Sequence, residues 1–173
     1  FLVGLALLAG CTVSLPDDAY VIGFYNVENL FDTEHDPGKN DQAFTPEGEN
    51  AWTPDKYEKK LANMASVIRA MAEKNGRWHV LLGLAEVEND RVLEDLVARP
   101  EIAEAGYKFV HVEGPDVRGI DCALLYRPEY FKVVETHVLP YDFNSSSGIR
   151  FEKTPREQRE FRTRDGLCGR GVR

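Results

Sequence analysis

Apolar positions fall along this chain in two rhythms, and each predicts a kind of element. Tyr20-Val21-Ile22-Gly23-Phe24-Tyr25 is a short run of β-forming residues and predicts a largely buried strand. Residues 32–52 are polar, with Gly and Pro interspersed, and predict a loop; its 21 residues are long for a compact domain, as functional loops are. Thr53-Pro54-Asp55 reads as a helix start: an N-cap, a proline at the first helical position and an acid in the first turn. Tyr57, Leu61, Met64, Ile68 and Met71 follow at spacings of three and four, so one face is apolar, and Asn75-Gly76 stops the helix. Val80-Leu81-Leu82-Gly83-Leu84-Ala85 is a continuous apolar run, the pattern of a strand covered on both faces. Residues 90–98 predict a short helix with Val92, Leu93, Leu96 and Val97 inward. Residues 107–112, 122–126 and 131–138 predict three more strands, the last two a hairpin turned by Arg127-Pro128-Glu129. The order β, loop, α, β, α, β, β, β is a mixed α/β pattern with helices packed on a sheet.

The two ends do not join this pattern. The chain opens F-L-V-G-L-A-L-L-A-G, ten uncharged residues, and then Cys11. A helix needs about 20 apolar residues to span a bilayer. The run matches instead the apolar core of a secretory signal whose basic leading segment is missing. Leu8-Ala9-Gly10-Cys11 resembles a bacterial lipobox, in which the cysteine thiol is acylated; the other reading is a short buried strand or helix. Lipidation at Cys11 implies an exported lipoprotein held on a membrane, at the periplasm or the cell surface, not across it. Residues 166–173 hold three Gly and two Arg with neither rhythm, and read as a frayed terminus or as residues out of the true frame.

Composition narrows the classes. With 173 residues the chain is one domain at most, and 43% hydrophobic residues suffice for a core. Three Cys are too few for a disulfide scaffold. A net charge of −8 argues against a surface that coats nucleic-acid phosphates, whose binding rests on Lys and Arg. It leaves room for an enzyme that meets phosphate through a bound cation. Nothing in the sequence indicates a protein partner.

Two predicted strands end in similar polar groups, Asn26-Val27-Glu28-Asn29 and Glu86-Val87-Glu88-Asn89. Ligands of open α/β sheets sit beyond the carboxyl ends of strands. An Asn and a carboxylate delivered there from adjacent strands make a hard oxygen site for Mg²⁺, which keeps several waters and needs few protein carboxylates. Each residue alone is as much at home capping a turn.

The segment Ile22-Gly23-Phe24-Tyr25-Asn26-Val27-Glu28-Asn29-Leu30-Phe31-Asp32 resembles the opening motif of the endonuclease/exonuclease/phosphatase superfamily, in particular its bacterial secreted members. Leu84-Ala85-Glu86-Val87-Glu88-Asn89 resembles the second motif, usually Q-E-V. Residues 116–127, with Arg118-Gly119-Ile120-Asp121, resemble the R-G-I-D-V-A-L-L-Y segment, and 154–165 the T-P-R…T-R-D stretch. The resemblance covers residues 20–165 and implies the N-terminal part of a four-layer α/β sandwich, with residues 1–11 a signal segment and 166–173 a doubtful tail. It implies metal-dependent cleavage of phosphoester bonds, in nucleic acid or in small phosphoesters, with Mg²⁺ (or Mn²⁺ or Ca²⁺) as cofactor. Glu86 would be the metal ligand and Asn26 would orient the phosphate or a metal-bound water. Glu28 would sit in the outer shell of the metal, and Arg118 and Asp121 would border the substrate.

The later motifs of that superfamily, N-x-H, D-x-N and S-D-H, have no counterpart in the eight residues that follow Asp165. The resemblance therefore reads as C-terminally truncated, with weak or no activity expected. His35, His79, His111 and His137 lie in no such motif, and His111 and His137 read as ordinary strand positions. The competing class is a non-catalytic lipoprotein fragment or surface binding module. Asp32-Thr33-Glu34-His35-Asp36-Pro37-Gly38 looks superficially like a calcium loop. Pro37 and Ala43 stand where an EF-hand needs Gly and Glu, so that reading fails and the loop is a substrate-side rim or solvated. Residues 150–164 carry the one basic stretch, interleaved with Glu, which reads as a phosphate lure or a solvated segment. Cys122 reads as a small buried hydrophobe.

Overall fold

The computed structural model describes residues 19–138. Cys11, the basic stretch 150–164, the 154–165 motif and the 166–173 tail lie outside them. Among the described residues the chain runs β1 (Ile22–Leu30), α1 (Pro54–Asn75), β2 (Leu81–Val87), α2 (Asp90–Val97), β3 (Lys108–His111) and β4 (Asp121–Tyr126). The strands make one mixed sheet in the order β1-β2-β4-β3. β1 and β2 are parallel, as their connection through α1 requires; β4 is antiparallel to both β2 and β3. This α/β sheet with helices has the class that the rhythm predicts.

Local signals explain both helices. Pro54 fills the first turn of α1, where its missing N–H costs nothing, and Asp55 meets the positive helix end. Gly76, left-handed at φ 70°, closes the helix and donates its N–H to Ala72 and Glu73. Tyr57, Leu61, Ala65, Ile68 and Ala72 are buried, so the apolar stripe centres on the alanines and leaves Met64 and Met71 at its margin. In α2 the Asn89 side chain accepts the Val92 N–H at 3.1 Å, and Val92, Leu93 and Leu96 point inward.

These helices cover one face of the sheet, meeting Val27, Leu82, Leu84, Ala123 and Leu125 in a single core. Truncating a residue such as Leu84 would remove about 2–5 kcal/mol of stability. The opposite face differs from expectation. Ile22 and Phe24 are each 68% exposed, and Leu81 and Leu124 are only half-buried. Neither β1 nor β2 is covered on both sides among the described residues. Cys122 lies on this open face and is exposed, not buried, because the alternation of β4 sends Ala123 and Leu125 into the core instead.

Two further expectations are corrected. Residues 131–138 form no strand beyond a single bridge at Phe131. The reason is topological: β4 already pairs β2 on one edge and β3 on the other, so no edge remains for a hairpin partner. The turn at 127–130 does form, with the Tyr130 N–H donated to Arg127 at 3.0 Å. The 32–52 loop is not structureless. Gln42–Phe44 is a 3-10 turn, Phe44 stacks on Phe31 at 4.1 Å, and the Trp52 indole N–H donates to the Phe31 carbonyl at 3.0 Å. A small aromatic core of its own folds this loop back onto the end of β1.

Candidate metal centre

The strand ends are built by irregularity. Asn26 pairs Ala85 and Leu30 pairs Val87, so residues 27–29 of β1 stand opposite Glu86 alone. Against β4, Ala85 pairs Cys122 and Val87 pairs Asp121, which makes Glu86 an extra residue there too. The backbone is left-handed at Glu28, Asn29 and Glu86, with φ of 54°, 60° and 66°. Such conformations cost side-chain-bearing residues on the order of 1 kcal/mol each and cluster at functional sites. The bulge has a plain consequence. Leu82 and Leu84 face the core, and regular alternation would send Glu86 there next. The extra residue hands the core position to Val87, fully buried, and turns Glu86 out to the strand end.

Glu86 is then fixed from both sides. Its Oε1 accepts the Asn26 amide at 2.9 Å and its Oε2 accepts the Asn29 N–H at 3.0 Å. Asn26 is itself oriented, since its Oδ1 accepts the Glu28 N–H at 2.8 Å. The Asn26 nitrogen, not its oxygen, therefore faces the carboxylate. What Asn26 has left to offer a ligand is its second N–H, while both Glu86 oxygens keep lone pairs. Glu28 enters through its backbone, its carbonyl accepting Lys60 Nζ at 2.6 Å.

Lys60 is the residue that sequence reasoning missed. It sits 5.9 Å from the Trp52 ring centre, and burial holds its pKa below the ordinary lysine value, against the pull of the Glu28 and Glu86 charges. A signal existed: Lys60 falls three residues after Tyr57 and four before Met64, at the edge of the apolar stripe of α1. The structure thus brings Asn26, Glu28, Glu86 and Lys60 together. It does not join Arg118 to them by any hydrogen bond; that side chain closes on Asp116 within its own turn, at 3.3 and 3.4 Å. Asp121 pairs in register with Val87, one residue past Glu86, but its carboxylate faces His111 at 3.7 Å.

Glu88 goes the other way. It is 2% exposed, and its Oε2 accepts the Asp32 N–H at 2.7 Å. Burial, with the charges of Asp32, Asp36 and Asp41 adding to it, pushes its pKa up to about 8, against the pull of the Asp32 N–H. All four histidines are accounted for elsewhere. His35 bonds Asp41; His79 lies beside Asn75, and burial holds its pKa below the ordinary value. His111 bonds Asp90 at 2.8 Å and His137 pairs Glu135 at 2.9 Å.

Among the described residues Glu86 brings two carboxylate oxygens to this point with no thiol or imidazole bonded to it, donors of the kind a hard divalent cation takes. Comparison with known proteins agrees: the model of the endonuclease/exonuclease/phosphatase family matches residues 21–172. No curated protein and no solved structure matches the chain.

Proposed function

The chain belongs to the endonuclease/exonuclease/phosphatase family, and from that premise we propose that Glu86 and Asn26 hold the cation and phosphate of a phosphoester-hydrolysing centre. The single observation that carries this is the double bulge that turns Glu86 out of the core and clamps it between Asn26 and the Asn29 N–H. A bound Mg²⁺ would neutralise charge on the phosphoryl oxygens. Glu86 holds that cation. Asn26 directs its free N–H to a phosphoryl oxygen or a water, and Lys60 supplies positive charge behind Glu28. Arg118 and Asp121 border the substrate, which is nucleic acid or a small phosphoester.

Proton abstraction from water needs a base within hydrogen-bond reach of the nucleophile. None of the four histidines bonds Glu86 or Asn26, each being engaged elsewhere. Among the described residues no histidine stands as that base, and the proposed function is accordingly that of a binder of metal and phosphoester with weak or no turnover. Mn²⁺ titration followed by electron paramagnetic resonance tests the centre: the chain binds, and Glu86→Gln loses one equivalent of that binding. Plasmid DNA and a chromogenic phosphodiester should both survive incubation with the chain and Mg²⁺. Clear turnover lost in Glu86→Gln would overturn the weak-activity half of the reading. For Cys11, outside the described residues, we propose lipidation and membrane anchoring; Cys11→Ser should then release a membrane-associated protein into the soluble fraction.

A further inference from the structure

We propose that Asp36, Asp41 and Glu88 form a second cation site, separate from Glu86, that takes a hard divalent ion of calcium size and clips the 32–52 loop to the end of β2. One carboxylate oxygen from each of the three lies within 4.8 Å of one from each of the others. Ca²⁺ takes six to eight oxygen ligands in flexible geometry, whereas Mg²⁺ sheds its waters reluctantly and usually takes only one or two carboxylates, so three carboxylates, two of them buried, suit the larger ion.

The second observation is independent of the clustering. Glu88 is 2% exposed, one of its oxygens is used by the Asp32 N–H, and the other, Oε1, is buried with no partner. A buried carboxylate oxygen without a donor needs an explanation, and an unfilled ligand position supplies one. Asp41, 1% exposed, is held in place beside it, since its Oδ2 accepts the Asp36 N–H at 2.7 Å and its Oδ1 bonds His35.

Charge points the same way. Asp32, also buried, brings a fourth carboxylate beside Glu88. The positive groups around the cluster are Arg91 and His35. Arg91 approaches Asp32 at 3.7 Å but gives its shorter contact, 2.7 Å, to Glu34; His35 carries charge only when protonated. Lys39, on the same loop, is drawn away to Glu113. Asp36 and Asp41 stand in the stretch that fails the EF-hand pattern, and the site is indeed not an EF-hand: its third ligand comes from the distant strand end.

The test uses the full chain with Glu86→Gln, which removes the other centre, stripped of metal by a chelator and dialysed. Calorimetric titration with CaCl₂ should show one equivalent bound, and Ca²⁺ should raise the melting temperature more than Mg²⁺ does at equal concentration. Adding Glu88→Gln should abolish both effects. Because Glu88 is buried and that variant can fail to fold, Asp36→Asn, at a half-buried position, should weaken Ca²⁺ binding at least tenfold while leaving the circular dichroism of the metal-free chain unchanged. No Ca²⁺ binding by the Glu86→Gln chain, or equal binding after Asp36→Asn, overturns the site. Failure of the Glu86 reading is seen separately, as Mn²⁺ binding that persists in Glu86→Gln after Asp36→Asn has been added.

Discussion

Glu86 and Glu88 leave the end of one strand two residues apart and meet opposite environments. Glu86 is turned outward by a left-handed bulge and clamped by an amide and a backbone N–H. Glu88 is turned inward, 2% exposed, under the aromatic-cored loop, with three other carboxylates for company. Equal side chains thus serve unequal purposes. In the proposed reading the outer one keeps lone pairs for a ligand that arrives from solvent; the inner one, which accepts the Asp32 N–H, couples the loop to the sheet. One consequence is that Glu86 can be changed at small cost in stability, whereas Glu88 cannot be changed without touching the fold.

The largest expected difference is in pH dependence. The Glu88 pKa rises from 4.5 to about 8 on folding. Between those values the unfolded chain binds fewer protons than the folded one, so stability falls as pH rises through the window. The slope approaches about 1.4 kcal/mol per pH unit and flattens below about 4.5 and above about 8. Urea melts in a chelator from about pH 5 to about pH 8 should show this fall. Glu88→Gln should flatten it and Glu86→Gln should leave it; a slope that survives Glu88→Gln would assign the effect to another group.

Next comes ligand affinity. Glu86→Gln replaces half of the carboxylate by a nitrogen and should cost roughly 10²-fold in Mn²⁺ affinity, with about 1 kcal/mol of stability lost because one of two hydrogen-bonded oxygens goes at a half-buried position. Asn26→Ala removes the orienting amide and should cost about 10-fold in the same titration, in the lower part of the range for residues that position metal ligands. Equal losses from the two variants would make Asn26 a ligand in its own right.

How much of this was legible depended on whether the signal was local. The cap, proline and stop of α1 are local chemistry, and Pro54–Asn75 follows from them. The likeness of the strand ends at Asn26 and Glu86 was legible as well, because parallel neighbours place their carboxyl ends together. The layers over a strand are not local: Ile22-Gly23-Phe24-Tyr25 names a strand but not an open face. Nor is edge occupancy, which cost residues 131–138 their predicted pairing. The bulge was hidden for the same reason. A strict period of two puts Glu86 and Glu88 on one face, and only the left-handed Glu86 breaks it. Lys60, a charge at the edge of a helical stripe, becomes a site residue only because β1 ends against α1.

The smallest expected effect tests the seam between the two regions. Asn89 caps α2 through its Oδ1, which accepts the Val92 N–H, and it gives its amide to Asp32 Oδ2 at 3.3 Å. Asn89→Ala removes both contacts and should cost about 1 kcal/mol, the usual worth of an N-cap. Asn89→Ser keeps a capping oxygen but cannot reach Asp32, so the difference between the two variants isolates the cap. The Asp32 contact is long and its acceptor has Arg91 nearby, so it should be worth little, and Ser should recover most of the loss in a thermal melt. If Ser is as poor as Ala, the amide–Asp32 contact is the stronger of the two, and the buried carboxylates depend on Asn89 for their charge balance. Neither variant should move Mn²⁺ binding at Glu86, because Asn89 belongs to the inward side of the strand end.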